Sequence, residues 1–188
     1  MKILHIDSSI SGSGSASRAL TREIVARLKV TYPQAKVTYL DLAAEALPHF
    51  SLGRSEQAEA NALALEQFLG AEVLVIGAPI YNFSIPSQLK AWIDRITVAG
   101  RTFRYGPKGP EGLAGGKQVI VALARGGVSR PDERGEFGES YLKFLFGFLG
   151  ITDVRFVRAE GLAISPQHRQ ASLEAARAAI GGVESLAA

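Results

Sequence analysis

Apolar residues along this chain fall into two alternating patterns. Short, nearly continuous runs form the first: Ile3-Leu4-His5-Ile6, Val37-Thr38-Tyr39-Leu40, Val73-Leu74-Val75-Ile76, Val119-Ile120-Val121-Ala122-Leu123 and Val154-Arg155-Phe156-Val157. They predict five strands, and the first, third and fourth are apolar enough to be parallel strands covered on both faces. Helical spacing forms the second pattern. Leu20, Ile24, Val25 and Leu28 share one face, as do Ala58, Ala62, Leu65 and Leu69, and Leu89, Trp92, Ile93 and Ile96. Leu142, Leu145 and Leu149 form a further stripe, and Leu173, Ala176, Ile180 and Val183 another. That last helix opens at Ser165-Pro166, a capping residue followed by proline at the first helical position.

Strand and helix alternating five times predict a doubly wound α/β fold with helices on both faces. Five parallel strands suit the order 2-1-3-4-5, with ligands at the carboxyl ends near the switch between strands 1 and 3. Three loops converge there: residues 8–17, 78–84 and 124–130. Ala43 to Arg54 and Gly100 to Gly116 lack clear periodicity; the second is expected to be an ordered surface excursion.

With 188 residues the chain is expected to be one domain, residues 1–188. It has no cysteine, which excludes disulfides, thiolate metal sites and cysteine nucleophiles. The apolar N-terminal stretch is too short and interrupted for a signal peptide or membrane span, so a cytoplasmic protein is expected. The net charge of +3 is scattered rather than striped, which argues against nucleic-acid binding.

Four features carry the chemistry. Gly77 to Phe83, GAPIYNF, ends a buried strand in an apolar, aromatic, amide-bearing loop that suits a flat ring with polar edges. The loop after strand 1, SSISGSGSASR, offers hydroxyls and closely approachable backbone at a helix start, a phosphate cradle. It lacks the Gly-Lys-Ser/Thr of a Walker loop. A Ser/Gly loop can also simply cap a helix, and the position after strand 1 favours the cradle. Ala124-Arg125-Gly126-Gly127 ends strand 4 with paired glycines that permit positive φ and close backbone approach. Finally, Tyr141, Phe144, Phe146 and Phe148 exceed what one buried stripe needs. Phe144 and Phe148 share a face while Phe146 points elsewhere, so part of the set is expected at a pocket or interface.

The three histidines are not spaced as metal ligands, and no metal site is expected. His5 reads as a satisfied core residue; His49 and His168 read as loop and helix-start residues. Asp7 ends strand 1 as a phospho-acceptor would, but strand 3 ends in Ala78 where a receiver domain needs an acid.

Taken together, ILHIDSSI at 3–10, SAS at 15–17, PIYNF at 79–83, SQLKAWIDRI at 87–96, TFRY at 102–105, GPEGL at 109–113, ARGG at 124–127 and FLGITDVRFVRAEGLA at 148–163 resemble the FMN-dependent NADH-azoreductase family of flavodoxin-like quinone reductases. The resemblance implies a flavodoxin-like fold, non-covalent FMN, NADH or NADPH as reductant, and quinones or azo compounds as acceptors in ping-pong order. It also implies a homodimer with sites at the subunit interface. By motif match FMN would be held by Ser9, by Ser15, Ala16 and Ser17, by Ile80, Tyr81, Asn82 and Phe83, and by Ala124, Arg125, Gly126 and Gly127. Phe103, Tyr105, Phe144 and Phe148 are candidates for the substrate pocket. No side chain is nominated as catalytic, because the flavin N5 carries the chemistry.

Three departures from the family pattern stand out. Ile80 replaces the usual methionine, Ala124 a frequent serine or threonine, and the region between Phe50 and Leu65 is shorter than in many members. Two rival readings remain at this level: a flavodoxin-type electron carrier, and a flavin-binding redox sensor with little turnover.

Overall fold

The computed structural model describes residues 1–51, 57–129 and 137–182. Five strands form one parallel sheet: β1 (Lys2–Asp7), β2 (Lys36–Asp41), β3 (Val73–Pro79), β6 (Gln118–Ala124) and β7 (Asp153–Ala159), in the order β2-β1-β3-β6-β7. In terms of the five expected strands this is 2-1-3-4-5. Four helices return the chain between strands, α1 (Ala16–Thr31), α2 (Ala58–Gly70), α3 (Ser87–Ile96) and α4 (Gly138–Phe148), and α5 (Pro166–Ile180) follows the last strand. Val183, expected to extend the α5 stripe, lies outside the described residues, as do Arg130 and residues 52–56 of the short region.

Period-two alternation divides the core into two layers. Val73 and Val75 of β3 pack with Leu20, Ile24 and Leu28 of α1 and Ala176 and Ile180 of α5. Leu74 and Ile76 pack with Phe68 of α2, Leu89 and Trp92 of α3, and Leu142 and Phe146 of α4. β3 and β6 are buried along their whole length, while β2, at the sheet edge, is largely exposed. Ser165 caps α5 as the sequence predicts, accepting from the His168 N–H at 3.1 Å with Pro166 in the first turn.

The excursion at 100–116 is where pattern reading fell short. It forms an antiparallel hairpin of β4 (Phe103–Gly106) and β5 (Gly109–Gly112), separate from the main sheet. Gly-Pro-Glu-Gly has no apolar alternation to announce a strand. The hairpin is instead set by contact: a Cβ on Gly112 would lie 2.1 Å from the Gly150 nitrogen, so only glycine allows β5 to meet the α4–β7 turn.

Candidate functional site

The loop after β1 turns its serines to different tasks. Ser8 points inward and donates to the Gly77 carbonyl at 2.7 Å. Ser9 accepts from the Ser11 N–H at 3.2 Å and meets the Tyr81 hydroxyl at 3.2 Å, which joins this loop to the one after β3. Ser15 caps α1, accepting from the Arg18 N–H at 3.2 Å, and its hydroxyl lies 3.1 Å from that of Ser17. The first N–H groups of a helix have no intrahelical partner. Those of Ala16 and Ser17 take none elsewhere among the described residues. Two backbone donors, two hydroxyls and the positive end of the α1 dipole therefore converge on one spot, a donor set for an anion.

A buried polar network holds this loop from behind. Asp7 is 2 % exposed and accepts from Thr21 at 2.8 Å and from Tyr39 at 3.0 Å. Burial alone would raise the Asp7 pKa. The His5 ring at 3.7 Å and the hydrogen bonds from Thr21 and Tyr39 outweigh it, and the carboxyl is held below its ordinary range. Burial, and next the charge of Asp7, push the Tyr39 phenol up to about 12. His5 is buried as expected, but it is not satisfied: its Nε2 makes no hydrogen bond. The Asp7 Oδ2 lies 3.7 Å away, beyond hydrogen-bond reach, and already accepts from Tyr39. Arg18 grips Asp41 with both terminal nitrogens at 2.6 Å and holds the Ser9 carbonyl at 2.8 Å.

After β3 the chain makes a tight turn. Tyr81 and Ser84 exchange backbone hydrogen bonds at 2.9 and 3.1 Å, and the two residues between them, Asn82 and Phe83, both have positive φ, 47° and 71°. Asparagine tolerates that region; phenylalanine does so at a cost of about 1–3 kcal/mol. Such strain clusters at ligand clamps. The turn is anchored to the neighbouring strand by the Ile80 N–H, which donates to the Ala124 carbonyl at 2.8 Å.

The glycines after β6 do not have the positive φ expected of them; that region is taken by Gly161 instead. Their value lies in close approach and donor geometry. A Cβ on Gly126 would come to 3.2 Å from that of Ala163. The carbonyls of Gly126 and Gly127 are tied to the Ala163 and Gly161 N–H groups at 3.0 and 2.7 Å. Their own N–H groups take no partner among the described residues, leaving donors for the edge of a polar ring.

These loops enclose a cavity of about 160 Å³ at the carboxyl ends of β1, β3 and β6. Of the residues singled out in the sequence, Ser9, Ser15, Ala16, Ser17, Ile80, Tyr81, Ala124, Arg125 and Gly126 line it. Asn82 lines an adjoining groove of about 670 Å³ that shares Ile80 and Tyr81 with the cavity. Phe83 is 64 % exposed and lines neither; Gly127 is also outside the lining.

The four aromatic pocket candidates are not brought to this cavity within one chain. α3 and α4 run back from the carboxyl edge, so the hairpin and Phe148 lie towards the opposite edge of the sheet. There Phe103 meets Tyr105 edge-to-face and Phe148 at a tilt, with ring centroids 5.6 and 4.7 Å apart. Phe146 is fully buried, and Phe144 is 75 % exposed.

Gly14, within the expected cradle loop, also lines the cavity; sequence reading missed Leu162 and Arg169, which line it too, and Arg18 behind it. Arg169 sits in the first turns of α5 and donates to the Gly14 carbonyl at 3.0 Å. Nothing local marks it, because the two residues are 155 positions apart. Arg18 had a signal, an arginine directly after SAS with an aspartate closing the neighbouring strand.

Fold and site define a class: a doubly wound sheet with a donor-rich loop after its first strand and a tight, strained aromatic turn after its third. Comparison with known proteins agrees. Residues 1–182 match the family described as flavodoxin-like fold. The FMN-dependent NADH:quinone oxidoreductase of Xanthomonas oryzae pv. oryzae (strain MAFF 311018) is 56% identical over 185 residues, 96% of this chain and 95% of that one. The protein of the same name from Polaromonas naphthalenivorans (strain CJ2) is 54% identical over 198 residues, 95% and 91% of the two chains. Among solved structures, an azoreductase from Bacillus anthracis str. Sterne superposes with a TM-score of 0.88 at 31% identity, over 98% of each chain. An FMN-dependent NADH-azoreductase from Bacillus anthracis str. Ames Ancestor, in complex with FMN, gives 0.84 at 28% identity, over 97% of this chain and 99% of that one. The chain belongs to the flavodoxin-like fold family and, within it, to the family of the FMN-dependent NADH:quinone oxidoreductases.

Proposed function

We propose that the protein is an FMN-dependent NADH:quinone oxidoreductase that also cleaves azo compounds, with NADH or NADPH as reductant. One observation carries the reading: unpartnered donors for an anion and donors for a ring edge face one cleft, formed by three strand ends in a chain 56% identical to a named enzyme of that activity.

The residues present fit FMN. Ser15, Ser17 and the N–H groups of Ala16 and Ser17 would take its phosphate, with Ser9 beside them. Pro79 to Tyr81 would lie along the ring, Asn82 and Phe83 would close the turn at its rim, and Ala124 to Gly127 would meet its polar edge. When bound, FMN supplies hydride transfer between nicotinamide and acceptor. The chain would supply binding, orientation and donors where negative charge develops, and the N–H of Gly126, on the cavity wall, is the candidate donor, with Gly127 beside it. Among the described residues no histidine lines the cavity, and no imidazole is assigned a proton-transfer role.

We read residues 1–188 as one domain, working in the cytoplasm as a homodimer. No described helix is long and apolar enough to cross a membrane. The chain has no cysteine to exploit an oxidising compartment. Tyr105 at 78 %, Phe144 at 75 %, Ile10 at 66 % and Phe83 at 64 % exposure leave apolar surface that a second copy would cover. In such a dimer the aromatic candidates of one chain could complete the mouth of the other.

Spectra of the purified protein before and after anaerobic NADH, followed by NADH oxidation with and without a quinone, test the reading. Bleaching of a bound flavin and quinone-dependent turnover are expected. A flavin that NADH does not bleach would favour the electron-carrier alternative. Bleaching without quinone-dependent turnover would favour the sensor.

A further inference from the structure

The anion loop has no cation of its own. Its arginine, Arg18, is turned away to Asp41 and the Ser9 carbonyl. Two other guanidinium groups line the cavity. Arg125 faces Glu160 at 3.9 Å, which offsets its charge. Arg169 has no carboxylate within salt-bridge distance among the described residues, and its Nη2 donates to the Gly14 carbonyl at 3.0 Å, at the edge of the donor cluster. That bond uses one N–H of a group that carries five in a fixed fork.

We infer that Arg169 is the cation of the flavin phosphate subsite and the residue by which this protein prefers FMN to unphosphorylated flavin. This rests on the proposal that FMN occupies the cavity. The physical argument is charge. Neutral hydroxyls and backbone N–H groups can satisfy the phosphate oxygens, but a dianion next to one helix end remains incompletely neutralised. A guanidinium supplies full charge and donors matched to phosphate. Gly14 fixes its position, since the bond to the carbonyl limits where the fork can swing. The recognition is split across the chain: α1 brings the donors and α5 brings the charge.

The test compares wild type, Arg169→Gln and Arg169→Lys. Dissociation constants for FMN and for riboflavin are measured on the apoprotein by quenching of flavin fluorescence, at low and at high salt. Thermal denaturation confirms folding; Arg169 is half-exposed on a helix surface, so both variants are expected to fold. Arg169→Gln should weaken FMN by about tenfold, the loss of one charge-assisted hydrogen bond, and leave riboflavin unchanged. Arg169→Lys should recover most of the preference. The wild-type preference should also shrink at high salt, more steeply than that of Arg169→Gln.

Equal weakening of both flavins in Arg169→Gln would show a loop strap rather than a phosphate cation and overturn the inference. Full retention of the FMN preference in Arg169→Gln would overturn it too. Should Arg169→Gln not fold, an unshifted ³¹P resonance of bound FMN between wild type and Arg169→Lys would do the same. A wild type that binds neither flavin, or both equally, would instead defeat the underlying reading of the cavity.

Discussion

Arg18 on α1 holds the backbone carbonyl of Ser9 at 2.8 Å while gripping Asp41, at the end of β2, with two hydrogen bonds of 2.6 Å. The first turn of one helix thus ties the loop after β1 to the end of the neighbouring strand. The pairing with Asp41 raises the Arg18 pKa and lowers that of Asp41. Arg18→Met should leave Asp41 without its bidentate partner and remove the guanidinium that lies 3.9 Å from the buried Asp7. A loss of about 3 kcal/mol in urea denaturation is expected, at the low end for a broken buried pair because Asp41 is part-exposed. Arg18→Lys should recover only part of it, since an ammonium cannot make the bidentate grip. Equal stability of all three proteins would remove the network's structural role.

Gly77 has no side chain because Asp7 occupies the space. A Cβ there would sit 2.8 Å from the Asp7 Oδ1 and 3.3 Å from the Thr21 Cγ2. The carboxylate cannot swing aside freely, being held by Thr21 and Tyr39. Gly77→Ala should therefore cost about 1–3 kcal/mol, read as a lowered Tm. It should also weaken flavin binding by shifting the strand end that carries Ser8 and Ser9. An unchanged Tm would mean the carboxylate moves more easily than its bonds suggest.

The same carboxylates set the acid limit. Asp7 and Asp41 have folded-state pKa values below the ordinary 3.8. A depressed carboxyl stabilises only while ionised: its contribution is complete above the unfolded value and is lost as pH falls through the folded one. Stability from these two groups should be flat from neutral pH down to about 4 and decline below it. Asp7→Asn should be less stable at neutral pH and show a shallower acid decline, measured by urea denaturation across that range. An acid limb as steep as wild type would assign the effect to other groups, among them Glu139 and Asp153, which are also depressed.

Turnover should reveal a shared site. If Pro79 to Tyr81 and Ala124 to Gly126 grip the ring as proposed, reductant and acceptor must use the remaining face in turn. Double-reciprocal plots of NADH at several quinone concentrations should be parallel, and each azo bond, a four-electron reduction, should consume two NADH. Gly126→Val should reduce turnover sharply, because its Cβ already approaches Ala163 at 3.2 Å before the branch is added. His49→Ala should turn over at the wild-type rate, since His49 is exposed and absent from the cavity. Intersecting lines would exclude the shared face.

Light scattering tests the homodimer. A mass near twice the 20.0 kDa chain is expected at micromolar concentration. Tyr105→Ser with Phe144→Ser should shift the protein towards monomer and lower turnover with it, if these exposed rings meet the partner. A fully active wild-type monomer would place the whole site in one chain.

The sequence by itself determined the sheet, its strand order and most of the cavity lining. Those depend on patterns that repeat locally: continuous apolar runs for β1, β3 and β6, a 3.6-residue stripe on each helix, and loops whose position follows from strand order. It determined the Ser165 cap for the same reason, since a cap is decided within four residues. Tertiary structure alone decided what depends on distance in space. The hairpin at 103–112 needs Gly112 against Gly150, and no periodicity encodes that contact. The direction of each serine in the β1 loop depends on which neighbour claims it, so Ser8 goes to Gly77 and Ser9 to Tyr81. The φ values of Asn82 and Phe83, and not of Gly126 and Gly127, follow from closure of the Tyr81–Ser84 turn. Arg169 reaches Gly14 only because α1 and α5 pack side by side on one face of the sheet. Local patterns record what each segment buries; charge and close approach record what the fold brings together.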